Sequence, residues 1–189
     1  METTRVYAAC LASYNAGKLH GAWIDADQDE EEIQDEIAAM LRASPEPNVF
    51  VDCPECDGDG CEECDGKGKV PSAEEWAFHD YDGMPDGLGE FESVEDISLH
   101  GRMTTEHGDA WRAYAQNATT PSEDDFADTF YGEWDSEVAY AEHYVDSCGL
   151  FDNVSDHFSM YFDYEKYARD LFIDLTSVRL NGAVYVFSS

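Results

Sequence analysis

Bases are scarce in this chain. Its 189 residues hold 10 Lys and Arg against 43 Asp and Glu, a formal net charge of −33 with a pI near 4.1. Such a charge argues against nucleic acid and anionic membranes as partners, because both would repel it. It favours a basic partner, a cation-rich setting, or a partner site that normally holds a polyanion. Long apolar runs are missing as well: no stretch approaches the roughly 18 apolar residues of a membrane span. The opening METTRVYAACLASYNAGK has neither a basic n-region nor an uninterrupted apolar stretch. No secretory signal is therefore expected, and a cytoplasmic protein is. The motifs HExxH, GxSxG, GxGxxG and GxxxxGK[ST] are absent, and His20, His79, His100, His107, His143 and His157 stand apart in sequence. Carboxylates are too abundant to single out a general acid and base. No enzyme is expected.

What the chain does have is apolar material. Hydrophobic residues make up 43% and aromatics 13%, too much for an acidic disordered tail and enough for real cores. The length allows one ordinary domain or two to three small ones. The charge itself is grouped. Asp25 to Glu36 holds eight acids in twelve residues, while Val70 to His100 and Pro121 to Asp146 hold nine each; none of the three carries Lys or Arg.

The pattern predicts an α+β chain. Arg5–Ser13 and Gly21–Ala26 read as strands joined by an Asn- and Gly-containing turn. A helix is expected from near Asp27, with Glu30 closing an acidic capping box and Ile33, Ile37, Met40 and Leu41 on one face. Glu75–Tyr81 reads as a strand and residues 92–117 as helical. Ser122 and Ser136 are expected to cap helices, with Gly149 stopping the second. Asp163–Leu171 has a helical pattern, and Asn181-Gly182 between Phe172–Leu180 and Ala183–Phe187 marks a hairpin.

Six cysteines occur, four of them crowded into twelve positions. Cys53-Pro-Glu-Cys56-Asp-Gly-Asp-Gly60 runs directly into Cys61-Glu-Glu-Cys64-Asp-Gly-Lys-Gly68, two copies of CxxCxGxG. Each CxxC turns two thiolates toward one point, and the glycines allow tight knuckles whose N–H groups face sulfur. Cys53, Cys56, Cys61 and Cys64 are thus expected to bind one structural zinc per chain, with no open position for chemistry. The unit resembles half of the zinc region of DnaJ-type chaperones. By contrast, Asp25, Asp27, Asp29, Glu31 and Glu36 sit at EF-hand-like spacing, but Glu30 occupies the place where the loop needs Gly. A solvated helix start is the better reading there. Tyr131, Trp134, Tyr140, Tyr144, Tyr161 and Tyr164, all near acids, are either interface anchors or core residues of small domains; core packing is favoured.

Tyr7–Asp27, YAACLASYNAGKLHGAWIDAD, resembles the N-terminal block of the ArdA antirestriction proteins. The likeness continues through ASPEP, Ala73–Asp82, Phe130-Tyr-Gly-Glu-Trp-Asp135 and Phe162–Leu171. Residues 48–72, with the clustered cysteines, look like an insertion into the family pattern, and 98–120 match it poorly. The resemblance implies an elongated homodimer of about three small domains per chain: an N-terminal α+β domain over 1–82 carrying the insertion at 48–72, a helical domain over 83–120, and a C-terminal α+β domain over 121–189. It also implies mimicry of B-form DNA in the DNA site of type I restriction–modification enzymes, as mobile elements use when entering a host. Duplex DNA carries one charge per ~1.7 Å, so 33 charges match roughly 56 Å, about 16 base pairs.

The expected phosphate-like surface is drawn from the three base-free blocks. From the first come Asp25, Asp27, Asp29, Glu31, Glu32, Asp35 and Glu36. From the second come Glu74, Glu75, Asp80, Asp82, Glu90, Glu92, Glu95 and Asp96. The third supplies Glu123, Asp124, Asp125, Asp128, Glu133, Asp135, Glu137, Glu142 and Asp146. The competing reading is a zinc-binding chaperone-like or adaptor protein whose acidity reflects a halophilic cytoplasm; four lysines in the chain suit that too.

Overall fold

A computed structural model describes residues 3–189, which form two compact units dividing between Glu106 and His107. Both units are mixed α+β, and the sheets among the described residues are small and antiparallel.

In the N-terminal unit, β1 (Arg5–Cys10) lies between β2 (Gly21–Asp25) and β5 (Trp76–Asp82). Strand alternation sends Val6, Ala8, Cys10, Ile24 and Phe78 to one face, which packs on helix α2 (Glu30–Arg42). The expected strand to Ser13 stops at Cys10, and Leu11–Asn15 turns into a short helix, α1. A buried polar trio explains the turn: the Ser44 hydroxyl lies 3.0 Å from the Ser13 hydroxyl and 3.3 Å from the Cys10 thiol. Burying Ser13 with a partner requires the chain to leave the extended form.

α2 buries Ile33, Ile37, Met40 and Leu41 and leaves Glu31, Glu32, Asp35 and Glu36 exposed, as the 3.6-residue period requires. It begins later than expected, with Asp29 as N-cap and Glu32 accepting the Asp29 N–H at 3.3 Å. The preceding residues are tied down elsewhere. Ala26 donates its N–H to the Thr4 carbonyl at 2.9 Å, and the Gln28 carbonyl accepts from the Ser98 hydroxyl at 2.7 Å.

Residues 48–72 close on themselves. β3 (Val49–Asp52) pairs with β4 (Lys69–Ser72), and the Asn48 N–H donates to the Ser72 carbonyl at 2.9 Å. The next residue, Ala73, returns its N–H to Leu41 at the end of α2 at 3.0 Å. The segment therefore enters and leaves at one point, and its two strands form a sheet of their own beside β2-β1-β5.

The stretch expected to be helical over 92–117 splits into α3 (Val94–His107) and α4 (Asp109–Asn117) at Gly108, whose φ of 57° ends the first helix. The two helices bury separate sets of residues, Ile97, His100 and Met103 on α3 and Trp111 and Tyr114 on α4, so no single helical face runs through the stretch. In the N-terminal unit α3 approaches Ala26 so closely that a Cβ on Gly101 would collide with the Ala26 carbonyl.

The C-terminal unit continues with α5 (Glu123–Thr129), β6 (Phe130–Trp134), α6 (Glu137–Ser147), α7 (Asp156–Ser159), α8 (Tyr164–Leu171), β7 (Leu175–Leu180) and β8 (Ala183–Ser188), with sheet order β6-β8-β7. The Ser122, Ser136 and Asp163 side chains accept from the N–H groups of Asp125, Ala139 and Lys166, capping α5, α6 and α8. Asn181 and Gly182 both take positive φ, 48° and 93°, as a two-residue hairpin turn demands. Phe172–Asp174, expected in the strand, instead finish the C-terminal turn of α8. Aromatics fill this unit. Trp111, Tyr114, Phe126 and Phe187 are buried together, and Tyr140, 6% exposed, packs with Val184 and Val186. No helix among the described residues is long and apolar enough to cross a membrane.

Candidate metal centre and acidic surface

The cysteine knot is assembled from two equivalent knuckles. In each, the residues one, two and four places after the second cysteine take positive φ: Asp57 (45°), Gly58 (88°) and Gly60 (94°), then Asp65 (51°), Gly66 (70°) and Gly68 (69°). That conformation turns the Gly60 N–H onto the Cys56 sulfur at 3.1 Å and the Gly68 N–H onto the Cys64 sulfur at 3.2 Å. The knuckles face each other through their glycines. A Cβ on Gly60 would stand 2.9 Å from the Gly66 carbonyl oxygen, and one on Gly68 would run into the Gly58 carbonyl oxygen. These contacts exchange under an approximate two-fold axis, which the sequence repeat already contains.

The four Sγ atoms consequently lie within 4.8 Å of one another. Cys53–Cys61, Cys56–Cys64 and Cys61–Cys64 are separated by 3.8, 3.9 and 3.8 Å. A tetrahedron with ~2.3 Å metal–sulfur bonds has edges of about 3.8 Å, so the four thiols of a single chain are close enough to hold one metal ion. The electrostatics agree. The Cys61 N–H, followed by that of Gly68, holds the Cys64 thiol down to about 6 against the effect of burial. Burial pushes Cys53 up to about 12 and raises Cys56 as well. Four crowded sulfurs cannot all ionise unaided; a divalent cation among them removes that penalty. All four ligand positions are sulfur, a structural arrangement without an open coordination site. Cys10, buried, and Cys148, exposed, stand outside the knot.

Sequence reasoning found the thiols but missed their support. The hairpin β3–β4 and the positive φ of Asp57 and Asp65 went unread. The alternation Val49-Phe50-Val51 before the motif and Lys69-Val70 after it was the available signal.

The acids are placed differently. Those of the first block run off the end of β2 and along the outer face of α2, so their EF-hand-like spacing forms no loop: Glu31 and Glu36 sit on a helix. The cluster able to hold an ion among the described residues is the thiol knot. Strand pairing brings parts of two blocks together, since Asp25 and Asp82 flank Arg5 from either side and Asp80 pairs with Tyr7. Arg5 binds Asp82 at 2.6 Å and stacks over Trp23 at 5.4 Å. From the second block, Glu74, Glu75, Glu90, Glu95 and Asp96 are exposed and Glu92 is half-buried. From the third, Glu123, Asp124, Asp125, Asp128, Glu133, Asp135, Glu142 and Asp146 are exposed and Glu137 is half-buried, bonded by the Ser177 hydroxyl at 2.7 Å. Further ion pairs fall on carboxylates outside these sets: Lys18–Glu46, Lys69–Asp52 and Arg112–Asp109. Of the aromatics near acids, Tyr140 belongs to the core, while Tyr131, Tyr144 and Tyr161 are exposed.

Fold and site together define an acid-faced α+β protein with one candidate four-thiolate metal centre. A family model described as Antirestriction protein (ArdA) matches residues 6–186, insertion included, and the chain belongs to that family. It is an antirestriction protein, of a kind that inhibits restriction enzymes without catalysis of its own. Comparison with curated protein sequences returns no match.

Proposed function

We propose that the protein blocks type I restriction–modification enzymes by occupying their DNA groove with carboxylates in place of phosphates. The observation that carries this reading is the placement of the acids in the three base-free blocks: nearly all stand exposed, most of them on helices and strands and the rest in the turns that join these. Regular structure spaces them evenly. Carboxylates four apart on α2 rise about 6 Å, and alternate positions on β5 about 6.7 Å. A groove built to neutralise a polyanion at such intervals cannot distinguish carboxylate from phosphate by charge alone. Many weak contacts then share the affinity, and added salt weakens all of them.

In this reading the protein acts as a homodimer in the cytoplasm, and the thiol knot holds structural zinc. The choice of zinc rests on the all-thiolate, closed site and on edges that fit a tetrahedron. The deciding experiment is competition between the purified protein and a DNA duplex for a type I enzyme across a salt series. Displacement of DNA at low salt, fading as salt rises, is the expected outcome. Failure to displace DNA at every salt concentration would end the mimicry reading and favour salt adaptation as the source of the charge.

A further inference from the structure

The insertion is acidic in its own right. Residues 48–72 hold seven acids, Asp52, Glu55, Asp57, Asp59, Glu62, Glu63 and Asp65, against two bases, Lys67 and Lys69, and all seven acids are exposed. The lysines are committed locally, with Lys69 at 2.7 Å from Asp52 and Lys67 at 3.4 Å from Asp65. The remaining carboxylates have no such neighbour in the insertion's own sequence. Glu55 and Glu63 occupy equivalent places in the two knuckles, each directly before the second cysteine. With Glu62 they line a groove of about 840 Å³ between the knot, through Cys53 and Cys61, and Arg42 at the end of α2. A divalent ion on four thiolates leaves two net negative charges behind that wall. Three carboxylates and an anionic knot against one guanidinium make a concave site for cations, where low-dielectric walls focus the field.

We propose that the insertion is a metal-folded contact arm whose groove receives lysine and arginine side chains from the DNA-binding surface of the blocked restriction enzyme. This rests on the mimicry reading above and extends it to a segment outside the three acidic blocks. Charge complementarity selects the occupant: nucleic acid is repelled, and a surface evolved to grip phosphates brings the needed bases. The metal matters because residues 53–68 bury Cys53, Cys64 and Gly68 and no large apolar side chain. Without an ion the knuckles keep only backbone hydrogen bonds and the β3–β4 hairpin at their base to hold the carboxylates at the groove.

The test uses the full chain loaded with zinc, in competition with a DNA duplex for a type I enzyme. Glu55→Gln/Glu62→Gln/Glu63→Gln is expected to keep one metal per chain by native mass spectrometry. It should lose roughly tenfold in competition at low salt, with the loss shrinking toward nothing as salt rises. A second variant guards against damage to the knot: Glu62→Lys changes the place that Pro54 fills in the other knuckle, so the knuckle does not need an acid there. It should weaken competition several-fold with metal retained. The comparison variant is Glu31→Gln/Glu32→Gln/Asp35→Asn/Glu36→Gln on α2. If the α2 variant is weakened while both metal-loaded insertion variants compete like the parent, the arm is no contact surface and the proposal falls alone. If none of the three is weakened, the mimicry reading falls and takes this proposal with it.

Discussion

Two stretches of the N-terminal unit carry similar acid loads on different foundations. Residues 25–36 set eight acids on a strand end and a helix whose inner face buries Ile33 and Ile37, continued by Met40 and Leu41. Each such side chain contributes about 1.5–3 kcal/mol on leaving water. Residues 53–68 carry Glu55, Asp57, Asp59, Glu62, Glu63 and Asp65, yet bury little beyond two thiols and a glycine. The zinc proposed for the four thiolates would supply about 10–16 kcal/mol, comparable with an entire apolar core. A charged surface needs an anchor beneath it, and the chemistry of the anchor is interchangeable. A short insertion cannot build an apolar core, so thiolates take that place.

If the knot holds zinc as proposed, removing that metal breaks the comparison most completely. Chelation, or Cys53→Ser with Cys56→Ser, is expected to abolish hydrogen-exchange protection across 53–68 while β1, β5 and α2 keep theirs. The base of the insertion separates the outcomes, because β3–β4 and the bond from Ala73 to Leu41 do not involve the knot. Loss of protection throughout the N-terminal unit would show that the parent core leans on the insertion.

The body should respond the opposite way. Phe78→Ala removes a fully buried ring from the centre of the N-terminal core and should cost about 3–5 kcal/mol in urea unfolding, with metal stoichiometry unchanged in the folded protein. Phe50→Ala, at 71% exposure on β3, should change stability by less than about 0.5 kcal/mol. Equal costs at the two positions would mean that Phe50 is covered in solution.

Legibility in the sequence follows the same division. The thiol knot announces itself because ligand spacing is short-range, and α2 because Ile33, Ile37, Met40 and Leu41 repeat with a helical period. Caps at Ser122 and Ser136 and the turn at Asn181-Gly182 are local chemistry and were read correctly, whereas Asp163, read as the first residue of a helix, proves to be its cap. Misreadings fall where a distant partner decides. Ser13 turns inward to meet Ser44, the start of α2 waits on Thr4 and Ser98, and Gly108 divides a helical stretch through a backbone angle that composition does not reveal. The acidic surface was legible as charge but not as geometry, since the register placing Asp25 and Asp82 on either side of Arg5 belongs to the sheet.

Intermediate in size is the cap. Ser122→Ala removes the acceptor for the Asp125 N–H, 3.2 Å away, and should cost about 1 kcal/mol, measured by urea unfolding. That loss belongs to the C-terminal unit and should leave metal binding in the insertion unaffected.

The smallest effect is the most informative about why the acids are there. Glu31 and Asp35 stand four apart on the exposed face of α2, and like charges at that spacing destabilise a helix by about 0.2–0.5 kcal/mol. Asp35→Asn removes that repulsion while leaving Glu31 in the first turn, where a negative charge favours the helix N-terminus, so it should stabilise the protein slightly in low salt and not at all in high salt, where the repulsion is already screened. If the acids serve binding, the same variant should compete less well with DNA: stability rises as function falls. If they serve only solubility in a salt-rich cytoplasm, competition should not change while stability still rises. Opposite signs for the two readouts in one variant would tie the charge to the antirestriction surface more directly than the loss of either alone.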